Sequence, residues 1–230
     1  MKSYNIFERI KKEQVVSTVV IDDVENALPL AETMLRAGLG CIELTLRTDC
    51  AVEAIRRINN EFPEMLVGAG TVLTSEQVMQ VKDAGAAFAV SPGLNPKVVE
   101  QAKKDGLPFS PGVCTPSEVE LALSMGCKNL KFFPSEPLGG IKYLKCMAAP
   151  YLHLGIGFLP LGGIDAKNFI DYLKSDCVIA VGGSWLAPRS DIANRDWNLI
   201  NNLCSDAVFE LDRLNGRIGN KSNNKRLVSV

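Results

Sequence analysis

CIELTLRTDCAVEAIRRINNEFPEMLVGA, residues 41–69, contains a complete strand–helix–strand unit. Cys41–Leu46 is a short β-rich run, Ala51–Glu61 carries a helical pattern, and Met65–Ala69 returns to strand. Similar apolar runs lie on either side at Val15–Ile21, Ala86–Val90, Leu107–Phe109, Asn129–Phe133, Ile156–Leu161 and Cys177–Val181. They begin roughly 21 to 27 residues apart, with a polar turn and a helical pattern between successive runs. The further helices are expected at Val24–Ala37, Ser75–Ala84, Pro96–Lys104, Pro116–Met125, Gly140–Met147 and Ala166–Leu173, several with Ser, Thr, Asp or Asn ahead of the first turn. Eight alternations in one chain predict an α/β fold, a single (β/α)8 TIM barrel spanning residues 1–215. An open doubly wound sheet also alternates, but it normally stops near five or six strands and has one glycine-rich nucleotide turn. Ile6, Phe7 and Ile10 mark an N-terminal amphipathic helix, and Trp197–Leu214 carries the apolar stripe of a C-terminal one. Residues 216–230 are polar and basic, and are expected to be disordered.

The 230 residues are 47% hydrophobic and 22% charged, enough to bury a large core without a disulfide or structural metal. A formal net charge of -1 gives no long-range field for nucleic acid or anionic lipid, so a small-molecule partner is expected. The seven cysteines are odd in number and contain no CxxC pair, which suits a reducing, cytoplasmic compartment. No apolar run approaches the ~18 residues of a membrane span. The lone histidine, His153, precedes the seventh strand and has no second histidine for a zinc or triad pattern. Neither a metal nor a cofactor is required.

In a barrel, alternate strand residues face inward, and the strands' C-terminal ends build the site. Glu43, Thr45 and Arg47 share one parity of Cys41–Arg47, which puts a carboxylate and a guanidinium inside; a structural ion pair is the competing reading. In Asn129-Leu130-Lys131-Phe132-Phe133-Pro134, Leu130 and Phe132 suit the helix side, so Lys131 is forced inward. Desolvation disfavours an ammonium, and the neutral amine is the form that attacks a ketone. The alternative is a lysine paired with Glu43 for structure alone. Leu161-Gly162-Gly163 and Gly182-Gly183-Ser184 close the seventh and eighth strands, where barrels often bind phosphate through backbone N–H groups; a tight strand-to-helix turn is the competing reading. Thr71, after Gly68-Ala69-Gly70, offers a hydroxyl at the mouth or serves as a helix cap or strand-end residue.

The stretches IELTLRT (42–48), VGAGTVLT (67–74), AVSPGLNP (89–96), NLKFFPSE (129–136), PLGGI (160–164) and VGGSWLAP (181–188) resemble the 2-keto-3-deoxy-6-phosphogluconate (KDPG) / 4-hydroxy-2-oxoglutarate aldolase family in order and spacing. The resemblance covers residues from about 15 to 215. It implies a class I aldolase without a cofactor. Lys131 would form the imine and Glu43 would move protons. Arg47 and Thr71 would hold the pyruvyl carboxylate, Gly162, Gly163, Gly183 and Ser184 would receive the phosphate, and Phe133 would pack on the reacting carbons. It also implies a homotrimer. Leu161 stands where these aldolases commonly have threonine, and Ser17 where they usually have proline. Two other readings compete, a different barrel reaction on a phosphorylated sugar and a non-catalytic anion-binding barrel.

Overall fold

In the computed structural model, which describes residues 6–218, the β-rich runs become short strands that pair only in parallel. They are β1 (Val15–Val19), β2 (Cys41–Thr45), β3 (Leu66–Gly70), β4 (Phe88–Val90), β5 (Phe109–Ser110), β6 (Gly112–Val113), β7 (Asn129–Phe132), β8 (Gly157–Pro160) and β9 (Val181–Gly183). Their ladders form two sheets, one ordered β5-β4-β3-β2-β1-β9 and the other β6-β7-β8.

This corrects the expected fold class, because the chain does not form a closed eight-stranded TIM barrel. Proline at 111 makes the first break, since it has no N–H to give a ladder. Before it, Phe109 and Ser110 pair with Ala89 and Val90; after it, Gly112 and Val113 pair with Lys131 and Phe132. The second break lies in the run expected at Cys177–Val181. There Val178 makes a single bridge to Phe158, and only from Val181 does the chain join β1 as β9.

Ten α-helices lie among the described residues: α1 (Ile6–Glu13), α2 (Ala27–Arg36), α3 (Ala51–Glu61), α4 (Ser75–Asp83), α5 (Pro96–Lys104), α6 (Pro116–Ser124), α7 (Gly140–Ala148), α8 (Phe169–Leu173), α9 (Arg189–Ala193) and α10 (Trp197–Leu214). Local chemistry explains several of their starts. Thr74 and Thr115 each accept from the backbone three residues on, and Gln77 and Glu118 reach back to close capping boxes. Val24–Asn26, expected as the first turn of a helix, is a separate 3-10 turn with Asp23 accepting from the Glu25 N–H. The short α9 has no counterpart in the sequence reading. Of the tail expected to be disordered, residues 219–230 lie outside the described residues, as do residues 1–5 of the N-terminal segment. Within 216–218, Arg217 pairs with Asp212 at 3.1 Å.

Strand alternation sorts the core into two layers. Val15, Val19, Ile42, Leu44, Val67, Leu130 and Phe132 pack outward against helices. Val16, Cys41, Leu66, Phe88, Leu159 and Leu161 meet between the two sheets, where Ile10 of α1 joins them. Gly68 gives the Phe88 ring its seat, since a Cβ there would lie 2.2 Å from the ring. The inner layer is therefore packed solid toward the strands' N-terminal ends, and space opens only above it.

Ser17 breaks the outward apolar pattern of β1. It is fully buried, and its Oγ has no hydrogen-bond partner. A buried hydroxyl without a partner costs about 1–3 kcal/mol. Ser17→Ala is therefore expected to raise stability by about 1 kcal/mol, read from the urea midpoint at unchanged slope. A lower midpoint would count against an unpaired hydroxyl.

Candidate active site

The C-terminal ends of both sheets enclose a cavity of about 220 Å³. From the six-stranded sheet β2 sends in Glu43 and, past its end, Arg47; from the smaller sheet β7 sends in Lys131. Leu130 and Phe132 are fully buried on the other side of β7, so rotating that strand to free the lysine would expose two large apolar side chains. Lys131 and Glu43 have side chains only 6% and 2% exposed, and Lys131 Nζ donates to Glu43 Oε1 at 3.3 Å. The Lys131 Nζ also stands 5.4 Å from the centroid of the Phe133 ring. Two neighbours fix the carboxylate. Thr18 Oγ1 donates to Glu43 Oε2 at 3.4 Å, and Gly70 leaves room that a Cβ, 2.0 Å from Oε1, would take.

One layer below, Cys41 is fully buried, and burial pushes its thiol well above the usual range, with the Glu13 and Glu43 carboxylates adding to the shift. It stays a neutral packing group and does not compete as a nucleophile. Arg47 stands exposed at the mouth, and among the described residues its guanidinium has no hydrogen-bond or ion-pair partner. Thr71 adjoins the same space with φ of 59°, a backbone conformation that costs a β-branched residue of order 1–3 kcal/mol.

The same cavity is lined by the Gly162–Gly163 turn, with φ of 93° and 84°. Its carbonyls are all engaged. The oxygen of Leu161 accepts from Ser135 N at 2.7 Å, that of Gly162 from Glu136 N at 2.9 Å, and that of Gly163 from Asn168 Nδ2 at 3.1 Å. In a trans peptide the N–H points opposite the carbonyl, so the amides that follow these carbonyls face the other way. Among the described residues no group accepts from Gly162 or Gly163 N–H. Two neighbouring amides without acceptors are the kind of donor that backbone turns offer to anions. Gly183 and Ser184 complete this wall.

The structure thus brings Lys131, Glu43, Arg47, Thr71 and Phe133 together with Gly162, Gly163, Gly183 and Ser184 around one cavity. Thr45, inward by parity, spends its hydroxyl on the Val19 carbonyl at 3.0 Å. Sequence reasoning missed Thr18, though its place between Val16 and Val20 in the first strand run was a usable signal. It also missed Pro92 and Ile164, which line the cavity from the turns after β4 and β8.

An amine held beside a carboxylate and facing a free guanidinium supplies the working parts of a Schiff-base aldolase, a carbon–carbon lyase. The chain belongs to the KDPG and KHG aldolase family, whose model it matches over residues 6–203. It is 43% identical over 194 residues to the KHG/KDPG aldolase of Escherichia coli K12, covering 84% of this chain and 90% of that one. It is 40% identical to the 2-dehydro-3-deoxy-phosphogluconate aldolase of Haemophilus influenzae, covering 88% and 95%. Among solved structures, the KDPG aldolase of Legionella pneumophila, with pyruvate captured as a covalent carbinolamine, superposes with a TM-score of 0.82 at 40% identity, covering 86% of this chain and 96% of that one.

Gly70→Ala tests the geometry of the pair without touching either charge. The methyl would push the carboxylate off Lys131, and displacements of about 1 Å cost on the order of 100-fold in rate. Steady-state kinetics should show kcat falling by about that factor in a folded protein. Unchanged kcat would mean that Glu43 does not need this position.

Proposed function

We propose that this lyase cleaves KDPG to pyruvate and glyceraldehyde 3-phosphate, or 4-hydroxy-2-oxoglutarate to pyruvate and glyoxylate, through an imine on Lys131. The observation that carries this reading is the buried Lys131–Glu43 contact of 3.3 Å at the closed end of the cavity. Lys131 delivers its proton to Glu43 and the freed Nζ adds to the C2 ketone, giving a carbinolamine. Glu43 returns the proton to the C2 hydroxyl, which leaves as water, and the nitrogen keeps the positive charge of the iminium. Glu43, again a carboxylate, then takes the proton of the C4 hydroxyl. The C3–C4 bond breaks, its electron pair moves toward the iminium nitrogen to give an enamine, and the aldehyde departs. Protonation at C3 and hydrolysis release pyruvate and restore the amine.

The remaining assignments follow charge and position. Arg47, whose guanidinium has no partner among the described residues, pairs with the substrate carboxylate, and the strained Thr71 adds a hydroxyl beside it. The free amides of Gly162 and Gly163, with Gly183 and Ser184, take the anionic end of the aldehyde half. Phe133 covers the reacting carbons.

The experiment is chemical trapping. Incubation with pyruvate and borohydride should add a three-carbon adduct to Lys131, visible by peptide mass spectrometry, and Lys131→Arg should lose cleavage and trapping together. An active enzyme without the adduct would dismiss the imine, and activity surviving in Lys131→Arg would favour a different reaction.

Among the described residues no helix is long and apolar enough to cross a membrane, and all seven cysteines are free. A cytoplasmic location fits those thiols. Homotrimeric assembly is carried from the resemblance alone. Sedimentation should then give about three times the 24.9 kDa chain mass. A monomer at micromolar concentration would reject the assembly.

A further inference from the structure

The Gly162–Gly163 turn does not hold itself. Two of its carbonyls hang on the N–H groups of Ser135 and Glu136, which follow β7, so the turn is only as well placed as that segment. A third element fixes it. Tyr172 of α8 is 1% exposed, its hydroxyl lies 2.7 Å from Ser135 Oγ, and it donates to the Glu136 carboxylate. One directional chain satisfies all three groups, from Ser135 O–H to Tyr172 and from Tyr172 O–H to Glu136. Gly140 leaves the space it needs, since a Cβ there would stand 2.8 Å from Glu136 Oε1 and 3.2 Å from the Tyr172 oxygen. Burial, and after it the Glu136 carboxylate, hold the phenol well above its ordinary range, so the chain keeps its donor through the neutral range.

Glu136 makes this arrangement consequential. A Cβ on Gly163 would lie 2.6 Å from Glu136 Cβ, so the glutamate stem sits against the turn while its carboxylate is drawn off to Tyr172. A carboxylate released from that bond would stay behind the turn, on the side of its carbonyls, and its charge would repel an anion held by the amides in front. We infer that Tyr172 is a positioning residue for the acceptor half of the reaction: its hydroxyl anchors Ser135 and Glu136 beneath the Gly162–Gly163 turn and keeps the glutamate charge away from the substrate's phosphate.

The inference rests on the proposed role of the turn as the anion site, and its test separates the two. Tyr172→Phe removes one oxygen and keeps the ring. In condensation with pyruvate, its KM for glyceraldehyde 3-phosphate should rise about tenfold, the loss of one charge-assisted hydrogen bond, while kcat holds. With unphosphorylated glyceraldehyde, KM and kcat should stay within about twofold. Adding Glu136→Gln to Tyr172→Phe should recover part of the lost affinity, because an amide does not repel phosphate. Inorganic phosphate supplies a readout free of turnover: its stabilisation against thermal unfolding should weaken in Tyr172→Phe and partly return in the double variant. Ser135→Ala, which cuts the chain at its first link, should shift the same constants in the same direction and serves if Tyr172→Phe does not fold. Equal losses with both aldehydes, or an unchanged KM for the phosphorylated one, would overturn the positioning role. If wild-type protein bound phosphate without using either aldehyde, the aldolase reading would fail, and the phosphate shifts alone would decide Tyr172.

Discussion

The contact between Lys131 and Glu43 is the constraint around which the rest of the molecule is arranged. An ammonium and a carboxylate that are 6% and 2% exposed cannot rely on water, and removing one partner of a buried pair typically costs about 3–5 kcal/mol because the other is stranded. The two charges come from different sheets and stand 88 positions apart in sequence, so they meet only when β2 and β7 face each other across the closed inner layer. Such a pair adds little net stability compared with well-packed apolar side chains. On the proposed mechanism, what it supplies is reactivity: an amine and a proton acceptor already desolvated and aligned before a ketone arrives.

The two sheets contribute unlike walls. The six-stranded sheet brings Thr18, Glu43 and, beyond its strand ends, Arg47 and Thr71, all able to hold or move charge. The smaller sheet brings Lys131 with Phe133 and Leu161, so the amine rises from an apolar surface. That division suits imine chemistry, which needs a keto acid fixed by its carboxylate on one side and dry, uncharged surroundings for the carbon skeleton on the other.

Much of this was legible as parity. The pattern of Cys41–Arg47 already separated Glu43 and Arg47 from Ile42, Leu44 and Leu46, and Leu130 and Phe132 left Lys131 nowhere but inside. The closure of the strands was not legible. Eight β-rich runs suggest an eight-membered ring, yet the fifth continues past its expected end at Phe109 and Pro111 splits it between two sheets, and Val178 gives another run a single bridge. Periodicity records which face a residue takes, and it is silent on whether neighbouring amides find partners. The Tyr172 chain was invisible for a similar reason. Its partners lie 36 and 37 residues away, and a tyrosine in a short apolar helix reads as core until its hydroxyl is followed. The left-handed Thr71 is a further case, because a β-branched residue gives no local warning of positive φ.

Leu161 shows how a departure from family pattern is absorbed physically. A threonine there would add a hydroxyl to the acceptor side; leucine adds bulk instead and is 4% exposed. The space comes from Gly182, where a Cβ would lie 2.6 Å from Leu161 Cγ. The backbone of the turn is left to its hydrogen bonds with Ser135, Glu136 and Asn168, and its free amides stay where an anion can use them. On the proposed reading, the change alters the surface met by the aldehyde half while leaving untouched the amine, its carboxylate and the guanidinium, because those are positioned by other strands. Chemistry and acceptor choice are then carried, on that reading, by separate parts of the same cavity, and a substitution can reach one without disturbing the other.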